Sequence, residues 1–558
     1  MICLGLRPYN SIIIFLKLRC LFLIFAFVFQ YGMAQDTNAW FYLRANETSF
    51  EPSFNNQKDE LIYVGDDEIL KGILNKHTVL AFKKTFRNAR KENLKKTFFV
   101  ISKNASLLED LVQGAPHLFS AGELIAAEDK KIFEPNDYGL TSTIGDNLGA
   151  QVNLDYLDYI GMPEAWYYTT GHRDVIVGIS DGEIDSLDIE FRGKTDVLRK
   201  SPLAKGHGLS VAATAAGQGN NGYGAPGVCY DCSVKGTSYN NPKALTQLLE
   251  LSAAGAKVIN CSWGGTTYYQ TAQDAINEMF ANGTVLVAIG HNRSFSETKG
   301  KVPFYPAAYD NVIAISSGMH RHEKYGDHIL KQKELYYAEN IRGYVGRTAG
   351  FRDNDTTVTP YIYQQSVRNL FPEIDILGPA VGIFRYGELK LHDKLDVSEG
   401  SQTSGVAPLI SGSIGLMFSL APCLPVDEVE SILKISSTNI DDLEVNKPYS
   451  GLYGSGILHT GRAVKMVYNL FSDNGIAVVE NQKFTRWNFK LTAYSKKVVI
   501  QNQQFVDAST LDLRSKNKIV LSENTHLKPN ASGRISIKID PSLQKECDLR
   551  LRDPSIED

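Results

Sequence analysis

Four polar residues, each next to an apolar stretch, carry the side chains that hydrolysis of an amide bond requires. Asp181 follows the run VIVGIS, His207 opens the small-residue stretch HGLSVAATAAG, Asn292 follows TVLVAIGH, and Ser404 precedes GVAPLISG. A serine hydroxyl becomes nucleophilic when a neutral imidazole takes its proton, and a buried carboxylate fixes the tautomer of that imidazole. An amide side chain and a backbone N–H supply donors for the oxyanion. These residue types therefore predict a site for nucleophilic hydrolysis.

Each of the four residues also has an ordinary structural interpretation. Asp181 and Ser404 are typical of caps at strand and helix ends, and His207 is typical of a helix terminus. Asn292 fits a turn, or the glycosylation sequon Asn292-Arg293-Ser294. Taken together and in this order, the four residues favour a catalytic set.

The elements expected to position these residues alternate between short apolar strands and helices from residue 141 to 470. The strand segments are rich in Val and Ile, as in KVINCSW and NVIAISS, and NPKALTQLLELSAAG shows helical spacing. This alternation predicts an α/β fold, a three-layer parallel sheet with helices on both faces. Open sheets of this kind place their sites at the carboxyl ends of strands. We expect the charged, Tyr-rich stretch 319–372 to be a surface excursion.

The same segments resemble the subtilisin-like serine peptidases, whose triad also runs in the order Asp, His, Ser. Further matching stretches are VINCSWGG, YPAAYDNVIAIS, TSGVAPLISG and YGSGILHTGRAV, so the resemblance covers residues 153–468. It implies an Asp181–His207–Ser404 triad, with Asn292 and the Ser404 N–H holding the oxyanion. It also implies a polypeptide substrate and no required organic cofactor. The residues implied to bind the substrate are Ser262, Trp263, Gly264 and Gly290.

The neighbours of the four residues depart from the usual motifs of that family. The sequence has Asp181-Gly182-Glu183 for Asp-Thr/Ser-Gly, His207-Gly208-Leu209-Ser210 for His-Gly-Thr-His, Gly290-His291-Asn292 for Ala-Gly-Asn, and Gln402-Thr403-Ser404 for Gly-Thr-Ser. The last change replaces a glycine that permits a tight approach.

The main hypothesis is a secreted endopeptidase, a zymogen matured by removal of a propeptide. Two alternatives stay open: a processing peptidase with one dedicated partner, and a weakly active or inactive peptidase fold that acts as a binding protein.

Two residues bear on the specificity that such a peptidase would have. Trp263 is larger than the Leu that relatives often carry, so we expect it to narrow a subsite. Arg293 follows the oxyanion residue at a pocket rim position. Its positive charge would favour an acidic residue at P1, the substrate residue whose carbonyl is attacked.

The first residues have the pattern of a signal peptide, assigned to 1–34. Arg7, Lys17 and Arg19 precede the apolar run LFLIFAFVF, and small residues precede Gln35. A membrane anchor is the alternative, but the uninterrupted run is about half of the ~20 residues that a span requires. We therefore expect a secreted or cell-surface protein without a stable membrane span.

Two flanking domains are expected on either side of residues 141–470. Residues 35–140 predict a small α+β unit, from strand-like YLRAN, TVLAFKKTF and KTFFVIS and helical SLLEDLVQ. By resemblance, this unit is a propeptide that serves as folding template and intramolecular inhibitor. Residues 471–558 contain short alternating runs such as RISIKID, which predict a small all-β module without a solenoid-type repeat.

Charge and cysteine content bear on other classes of protein. The chain has 58 Lys+Arg against 62 Asp+Glu, a net charge of −4, which gives no support for nucleic-acid binding. Without the signal segment, Cys3 and Cys20 are lost and the remaining number is odd, so at least one thiol is unpaired or pairs with another chain. For Cys229 and Cys232 a local disulfide is favoured over a redox or zinc half-site. Cys261 is expected to be a buried thiol.

Two stretches raise the question of metal or nucleotide binding. The dinucleotide-like Gly217–Gly222 follows a helix instead of a strand, so an ordinary loop is expected. Relatives bind calcium, but no Asp-rich loop identifies ligands, so a structural calcium ion has no assigned site. One charged stretch, interpreted as a solvated loop with metal binding as the alternative, contains His320, His322, Glu323, Asp327 and His328.

Overall fold

The computed structural model describes most of the chain in two compact units, Met1–Lys130 and Lys131–Asp558. The predicted signal segment lies outside the described residues, as do His322, Glu323, Asp327 and His328. The structure describes residues 38–57, 60–85, 91–126, 130–138, 143–144, 150–151, 153–202, 206–239, 242–321, 341–348, 362–363, 366–392 and 402–552.

The first unit is an α+β fold with its own apolar core. Its strands are β1 (Ala39–Ala45), β2 (Phe54–Gln57), β3 (Glu60–Tyr63), β4 (Val79–Lys84), β5 (Thr97–Ser102) and β6 (Phe119–Leu124), and its helices are α1 (Glu68–Leu74), α2 (Glu92–Lys95) and α3 (Ser106–Gly114). An antiparallel sheet has the order β4-β5-β1-β6. Alternate residues of β1 are buried, including Phe41 and Leu43, so one face of the sheet forms the core. The described residues thus form the α+β unit that the sequence predicts.

A seven-stranded parallel sheet is the centre of the second unit. It has the order β10-β11-β9-β12-β13-β14-β17, and every neighbouring pair is parallel. Two short antiparallel pairs lie outside it, β7 (Thr143–Ile144) with β8 (Ala150–Gln151) and β15 (Arg347–Thr348) with β16 (Ile362–Tyr363). The strands of the large sheet are β9 (Ile176–Ser180), β10 (Thr195–Val197), β11 (Ser233–Thr237), β12 (Ala256–Cys261), β13 (Val285–Ile289), β14 (Val312–Gly318) and β17 (Ile376–Pro379).

Two groups of helices pack against this sheet. The described helices of the second unit are α4 (Asp155–Tyr159), α5 (Met162–Tyr168), α6 (His207–Ala216), α7 (Thr246–Ala253), α8 (Gln270–Ala281), α9 (Phe295–Thr298), α10 (Tyr386–His392), α11 (Thr403–Leu420), α12 (Val426–Ser436) and α13 (Thr460–Phe471), with a 3₁₀ helix at Glu444–Tyr449. Helices α7 and α8 contact each other and the sheet, and α6 and α11 do the same. Val- and Ile-rich strands are buried on both faces by this arrangement. The predicted three-layer α/β fold is confirmed.

The stretch 319–372 is only partly the surface excursion that the sequence predicts. Its described parts contain fully buried side chains, among them Tyr344, Val367 and Leu370. The side-chain amide of Asn369 also donates to the carbonyl oxygens of Gly290 and Val302. Charge and length concealed these apolar residues, because they are spread thinly through a polar stretch.

The C-terminal module is a small parallel β-helix of three coils. Three parallel sheets run along it, with the orders β18-β21-β24, β19-β22-β25 and β20-β23-β26. The first strands of successive coils begin at Ile476, Lys497 and Ile519, so one coil takes 21 or 22 residues. The strands are β18 (Ile476–Glu480), β19 (Lys483–Phe484), β20 (Asn488–Ala493), β21 (Lys497–Gln501), β22 (Gln504–Asp507), β23 (Thr510–Ser515), β24 (Ile519–Leu521), β25 (His526–Pro529) and β26 (Arg534–Ile539).

The all-β prediction is confirmed, but the expectation of no solenoid-type repeat is wrong. A faint signal was present in VVENQKF and VIQNQQF, which place Asn481-Gln482 and Asn502-Gln503 at equivalent corners. Asn481 and Asn502 have φ of 63° and 45°, a left-handed conformation that Asn tolerates. The Asn502 amide donates to Asn481 Oδ1 at 2.7 Å. Such stacking between coils is what holds a solenoid together.

The β-helix is joined to the rest of the second unit by buried polar contacts. Thr492 donates to the Glu428 carboxylate on α12 from its N–H at 2.9 Å and from its hydroxyl at 2.6 Å. The Lys434 ammonium lies 4.4 Å from the centroid of the Trp487 ring and 2.7 Å from Asp375 Oδ1. Because these groups are buried, moving the module would leave polar atoms without partners.

The two predictions made for individual cysteines are confirmed. Cys229 and Cys232 form a local disulfide, and Cys261 is a buried free thiol. A second disulfide, Cys423–Cys547, ties the segment after the β-helix to the loop between α11 and α12. Cysteine spacing alone carried no information on this long-range pair.

Among the described residues, one helix is long and apolar enough to cross a membrane. This helix is α11, and 94% of it is buried inside the second unit. Its apolar character is that of a core helix.

Removing the Cys423–Cys547 bridge will destabilise the second unit. A Cys423→Ser/Cys547→Ser double variant should lose up to about 5 kcal/mol of unfolding free energy, because the bridge closes a long loop in the unfolded chain. The two cysteines are 124 positions apart. Urea unfolding measures the loss, with the exposed neighbour substitution Glu546→Ser as control. Equal unfolding midpoints in the double variant and the parent would contradict this prediction.

Candidate active site

The carboxyl ends of three neighbouring strands meet the N-termini of two helices at one edge of the large sheet. Strands β9, β12 and β13 end there, beside the first residues of α6 and α11. Strand order reverses at β9, because β11 and β10 lie on one side and β12 on the other. Such a point is where open α/β sheets form their crevices. The four residues predicted to be catalytic all line this cleft of about 480 Å³: Asp181, His207, Asn292 and Ser404.

Asp181 and His207 form a hydrogen-bonded pair. His207 Nδ1 lies 2.7 Å from Asp181 Oδ1, and that oxygen also accepts from the Gly182 N–H. Because a carboxylate only accepts, Nδ1 carries the proton and Nε2 is the basic nitrogen. The Asp181 side chain is 3% exposed, whereas 51% of the His207 side chain is open to solvent. The carboxylate is thus sheltered and the imidazole accessible.

The surroundings of His207 shift its basicity. Partial burial lowers the pKa of His207, but the hydrogen bond and the charge of Asp181 outweigh it. The resulting pKa lies above the ordinary value of 6.5. A base with such a pKa is neutral in mildly alkaline solution and strong enough to take a hydroxyl proton.

Ser404 is the second residue of α11. Its N–H lies in the first helical turn, where no intrahelical acceptor is available. The Ser404 hydroxyl donates to the Ser262 carbonyl oxygen at 3.5 Å, and no hydrogen bond joins it to His207 among the described residues. In proteins without substrate, catalytic hydrogen bonds are often long and tighten on binding.

Asn292 is oriented by the residue that precedes the serine. Its Oδ1 accepts from the Thr403 N–H at 2.9 Å and from the Thr403 hydroxyl at 2.8 Å. With the oxygen occupied in this way, the Nδ2 group is left to donate. Asn292 and Ser404 both line the cleft, so the amide group and the Ser404 N–H are candidate donors to one oxyanion.

Gln402 fits in place of the family glycine without backbone strain. Its φ of −104° and ψ of 119° are extended values that any residue adopts. Its Oε1 accepts from Arg385 Nη2 at 2.7 Å, so the side chain is held beside the cleft. The substitution changes the surroundings of the nucleophile but not the path of the chain.

The segment Ser262–Gly264 forms one wall of the cleft. The peptide groups of Trp263 and Gly264 have no hydrogen-bond partner in the described part of the chain. Free backbone groups in an extended segment accept a peptide as an added strand. The Trp263 indole donates to the Ser180 carbonyl at 2.9 Å and stacks on Tyr239, with ring centroids 6.0 Å apart.

Gly290 lacks the free backbone groups that a substrate-binding residue would offer. It is buried, its N–H donates to the Ile315 carbonyl, and its own carbonyl accepts from the Asn369 amide. Both backbone groups are therefore used within the protein. A direct role in substrate binding stays a prediction without geometric support.

The cleft is also lined by side chains that the sequence did not single out for binding. His291 and Phe304 line it, whereas Arg293 is exposed and does not. His291 was visible only as a departure from the family motif. Phe304 carried no signal, because an aromatic residue before YPAAYDNVIAIS is equally typical of a core position.

In the described part of the predicted His-rich stretch, the side chains do not come together as metal ligands. His320 is 2% exposed, and its Nε2 lies 3.3 Å from Asp155 Oδ1. No group of three or more His, Cys, Asp and Glu side chains is arranged to hold a metal ion among the described residues. The glycine-rich stretch Gly217–Gly222 is a loop after α6, as expected.

Comparison with known proteins adds the family and several relatives. The thermophilic serine proteinase of Bacillus sp. (strain AK1) is 29% identical over 176 residues, 29% of this chain and 41% of the relative. The minor extracellular protease Epr of Bacillus subtilis (strain 168) is 26% identical over 208 residues, 35% of this chain and 32% of the relative. The chain thus spans less than half the length of these two relatives.

A third relative is matched over a longer stretch. The calcium-dependent protease of Trichormus variabilis (strain ATCC 29413 / PCC 7937) is 24% identical over 380 residues, 60% of this chain and 52% of the relative. The sequence profile of the subtilase family (peptidase S8) matches residues 172–456, just over half of the 558-residue chain. With the cleft at the edge of a parallel sheet and this match, the chain belongs to the subtilase family of serine peptidases.

Proposed function

We propose that this chain is an exported serine endopeptidase that hydrolyses polypeptides. The observation that carries the proposal is that the Asp181–His207 pair, Asn292 and Ser404 share one cleft. The free peptide groups of the adjoining segment Trp263–Gly264 supply a place for an extended substrate. No step of this chemistry requires an organic cofactor.

In the acylation step, Ser404 Oγ attacks the carbonyl carbon of the scissile bond while His207 Nε2 takes the hydroxyl proton. Asp181 stays ionised and stabilises the imidazolium that forms. The carbonyl oxygen becomes an oxyanion, which the Asn292 Nδ2 group and the Ser404 N–H stabilise. The positive end of the α11 dipole adds to this stabilisation.

The intermediate then collapses toward products. The bond between the carbonyl carbon and the amide nitrogen breaks, and His207 gives its proton to the leaving amine. His207 next takes a proton from a water molecule, whose oxygen attacks the acyl carbon. The ester bond to Ser404 breaks, and the serine oxygen regains a proton from His207.

We also propose that residues 1–34 direct export and that the first unit is a propeptide removed on maturation. The N-terminal charge and apolar pattern supports export, and one relative is named as an extracellular protease. The first unit supports the second part, because it has its own sheet and core. Its position before the peptidase fold is that of a folding template and inhibitor.

A structural calcium ion is a further part of this proposal, with Glu190 as its main ligand. Glu190 is 1% exposed, and within the described part of the chain neither of its carboxylate oxygens has a hydrogen-bond partner. Burial raises the pKa of Glu190, and the positive charge of the nearby Lys194 offsets this only in part, so the ionised carboxylate lacks a full counter-charge. A Cβ on Gly224 would lie 2.7 Å from Glu190 Oε1, so the loop backbone closes around this oxygen. Asp137, which the Asn220 and Asn221 N–H groups hold, supplies a second carboxylate.

The residues around Glu190 fit the oxygen-rich donor set that calcium prefers. Glu190, Asp137 and oxygens of the loop 218–224 would hold the ion. It would neutralise the buried charge and tie this loop to the segment before α4. The calcium-dependent relative supports the same expectation.

A chain beginning at Gln35 should remove its own first unit, and Ser404→Ala should not, because only the parent has the nucleophile. Intact mass spectrometry measures both precursors, and a fluorophosphonate should label the trimmed parent at Ser404. Ser532→Ala, at an exposed turn of the β-helix, is the matched control and should behave as the parent.

Two results would separate the alternatives. If both precursors stay intact, the first unit is cleaved off with an added protease and labelling is repeated. Absence of labelling then overturns the peptidase proposal in favour of a binding protein. Labelling without degradation of casein favours a processing peptidase with a dedicated partner.

The rate of fluorophosphonate labelling should rise with pH through the pKa of His207. The imidazole must be neutral to take the serine proton, so labelling is lost as pH falls through that pKa, which lies above 6.5. Asp181→Asn removes the interactions that raise the pKa, so the inflexion should move to lower pH. The plateau rate should also fall by about four orders of magnitude. A pH profile unchanged by Asp181→Asn would contradict the assigned pairing.

Calcium should raise the thermal stability of the second unit. At a concentration of about 100 times its Kd, the ion would add about 2.7 kcal/mol to the unfolding free energy. Differential scanning fluorimetry with EDTA, calcium or magnesium measures the change in Tm. Glu190→Gln should abolish the response, whereas Glu278→Gln, at an exposed position on α8, should keep it. Equal Tm values in EDTA and calcium would rule out the site.

A further inference from the structure

We propose that His291 and Phe304 determine the specificity of the cleft by filling the recess for the P1 side chain, so that its substrates carry Gly or Ala at P1. This inference rests on the proposed peptidase function and names the substrate class of the same site. It replaces the expectation, drawn from Arg293, of an acidic P1 residue.

The catalytic geometry fixes where a P1 side chain must lie. The attacked carbonyl carbon has to sit at Ser404 Oγ, with its oxygen toward the Asn292 amide. The substrate backbone pairs with the free peptide groups of Trp263–Gly264. The P1 Cα therefore lies between this wall and the residues after β13, and its side chain enters the recess between them.

Phe304 lies against this wall in the lining of the cleft. Its side chain is 4% exposed, yet it borders the cleft. A Cβ added to Gly264 would lie 2.5 Å from Phe304 Cε1 and 2.3 Å from the Tyr305 carbonyl oxygen. The ring is thus packed flush against the wall, with no room for one further carbon atom between them.

His291 lies beside Phe304 in the lining of the cleft. Its ring centroid lies 4.2 Å from that of Phe304, so the two rings form one aromatic surface. Its φ of 93° is in the left-handed region, where a glycine would be relaxed. The His291 Nδ1 accepts the Arg293 N–H at 2.9 Å, which holds the ring in place.

The charge state of His291 agrees with a steric role. Burial and the positive charge of Arg293 lower the pKa of His291 below 6.5, and Glu297 only partly opposes them. The ring is therefore neutral near pH 7 and offers no cation to an acidic P1 side chain. A small P1 residue lies on the aromatic surface, whereas Leu, Phe or Glu would have to displace a ring.

Covalent probes with a varied P1 residue test the inference on the mature protein. Peptidyl diphenyl phosphonates that differ only in Ala or Leu at P1 are compared by their second-order rates of inactivation. The Ala probe should react at least about tenfold faster. A fluorophosphonate without a P1 side chain runs in parallel and reports whether Ser404 is reactive.

Enlarging the recess should reverse the preference. In His291→Gly, and further in His291→Gly/Phe304→Ala, the ratio of the Leu rate to the Ala rate should rise at least about tenfold. His526→Ala, at an exposed histidine on β25, is the matched control and should keep the parent ratio. If the double variant does not fold, His291→Gly alone carries the comparison.

The outcomes distinguish this inference from the proposed function. Reaction with the fluorophosphonate together with a preference for Leu overturns the inference and leaves the function standing. An unchanged ratio in folded His291→Gly also overturns it. Failure of every probe, the fluorophosphonate included, overturns the proposed function itself.

Discussion

Helix α11 is buried along nearly its whole length, and the position of its first turn decides whether a site exists. It contacts β9, β12, β13, β14 and β17 of the parallel sheet, so it crosses most of the core. Buried hydroxyls fix its register: Ser411 donates to Asn260 Oδ1 at 3.2 Å, and Ser413 bonds Thr460 at 2.7 Å. A shift by one residue would turn the helix by about 100° and break both bonds. Ser404 is held at the strand ends by this packing.

The first turn of α11 is also tied directly to two of the strand ends. The Ser262 hydroxyl, after β12, donates to the Ser404 carbonyl at 3.1 Å. Asn292, after β13, holds both the N–H and the hydroxyl of Thr403. The donors proposed for the oxyanion are therefore positioned by protein contacts before a substrate arrives. Donors that need no reorganisation at the moment of reaction give the largest stabilisation of developing charge.

The β-helix is stabilised by its contacts with the peptidase fold that precedes it. A coil of a solenoid cannot bury its apolar interior alone and needs neighbours on both sides. Here the coil that begins at Ile476 lies against α12 and α13, where Glu428 and Lys434 make buried polar contacts with it. The Cys423–Cys547 disulfide then returns the chain end to the same region. Helices of the subtilase domain thus close the first end of the β-helix.

The sequence by itself determined the family, the α/β layering and the residue types of the site. Strand period and helix period are local properties, and Asp181, His207, Asn292 and Ser404 each adjoin an apolar element that places them. At Gln402 the family has a glycine, but the extended backbone there shows that the path of the chain does not require glycine.

Only the tertiary structure decided which side chains share a space. The packing of His291 on Phe304, the occupied backbone of Gly290 and the Cys423–Cys547 pair join residues that are distant or unremarkable in the chain. The β-helix was hidden for a related reason. Its strands are short, and its coils share a common spacing and corner asparagines but little other sequence similarity. Contacts across the fold are set by packing geometry, which local pattern does not encode.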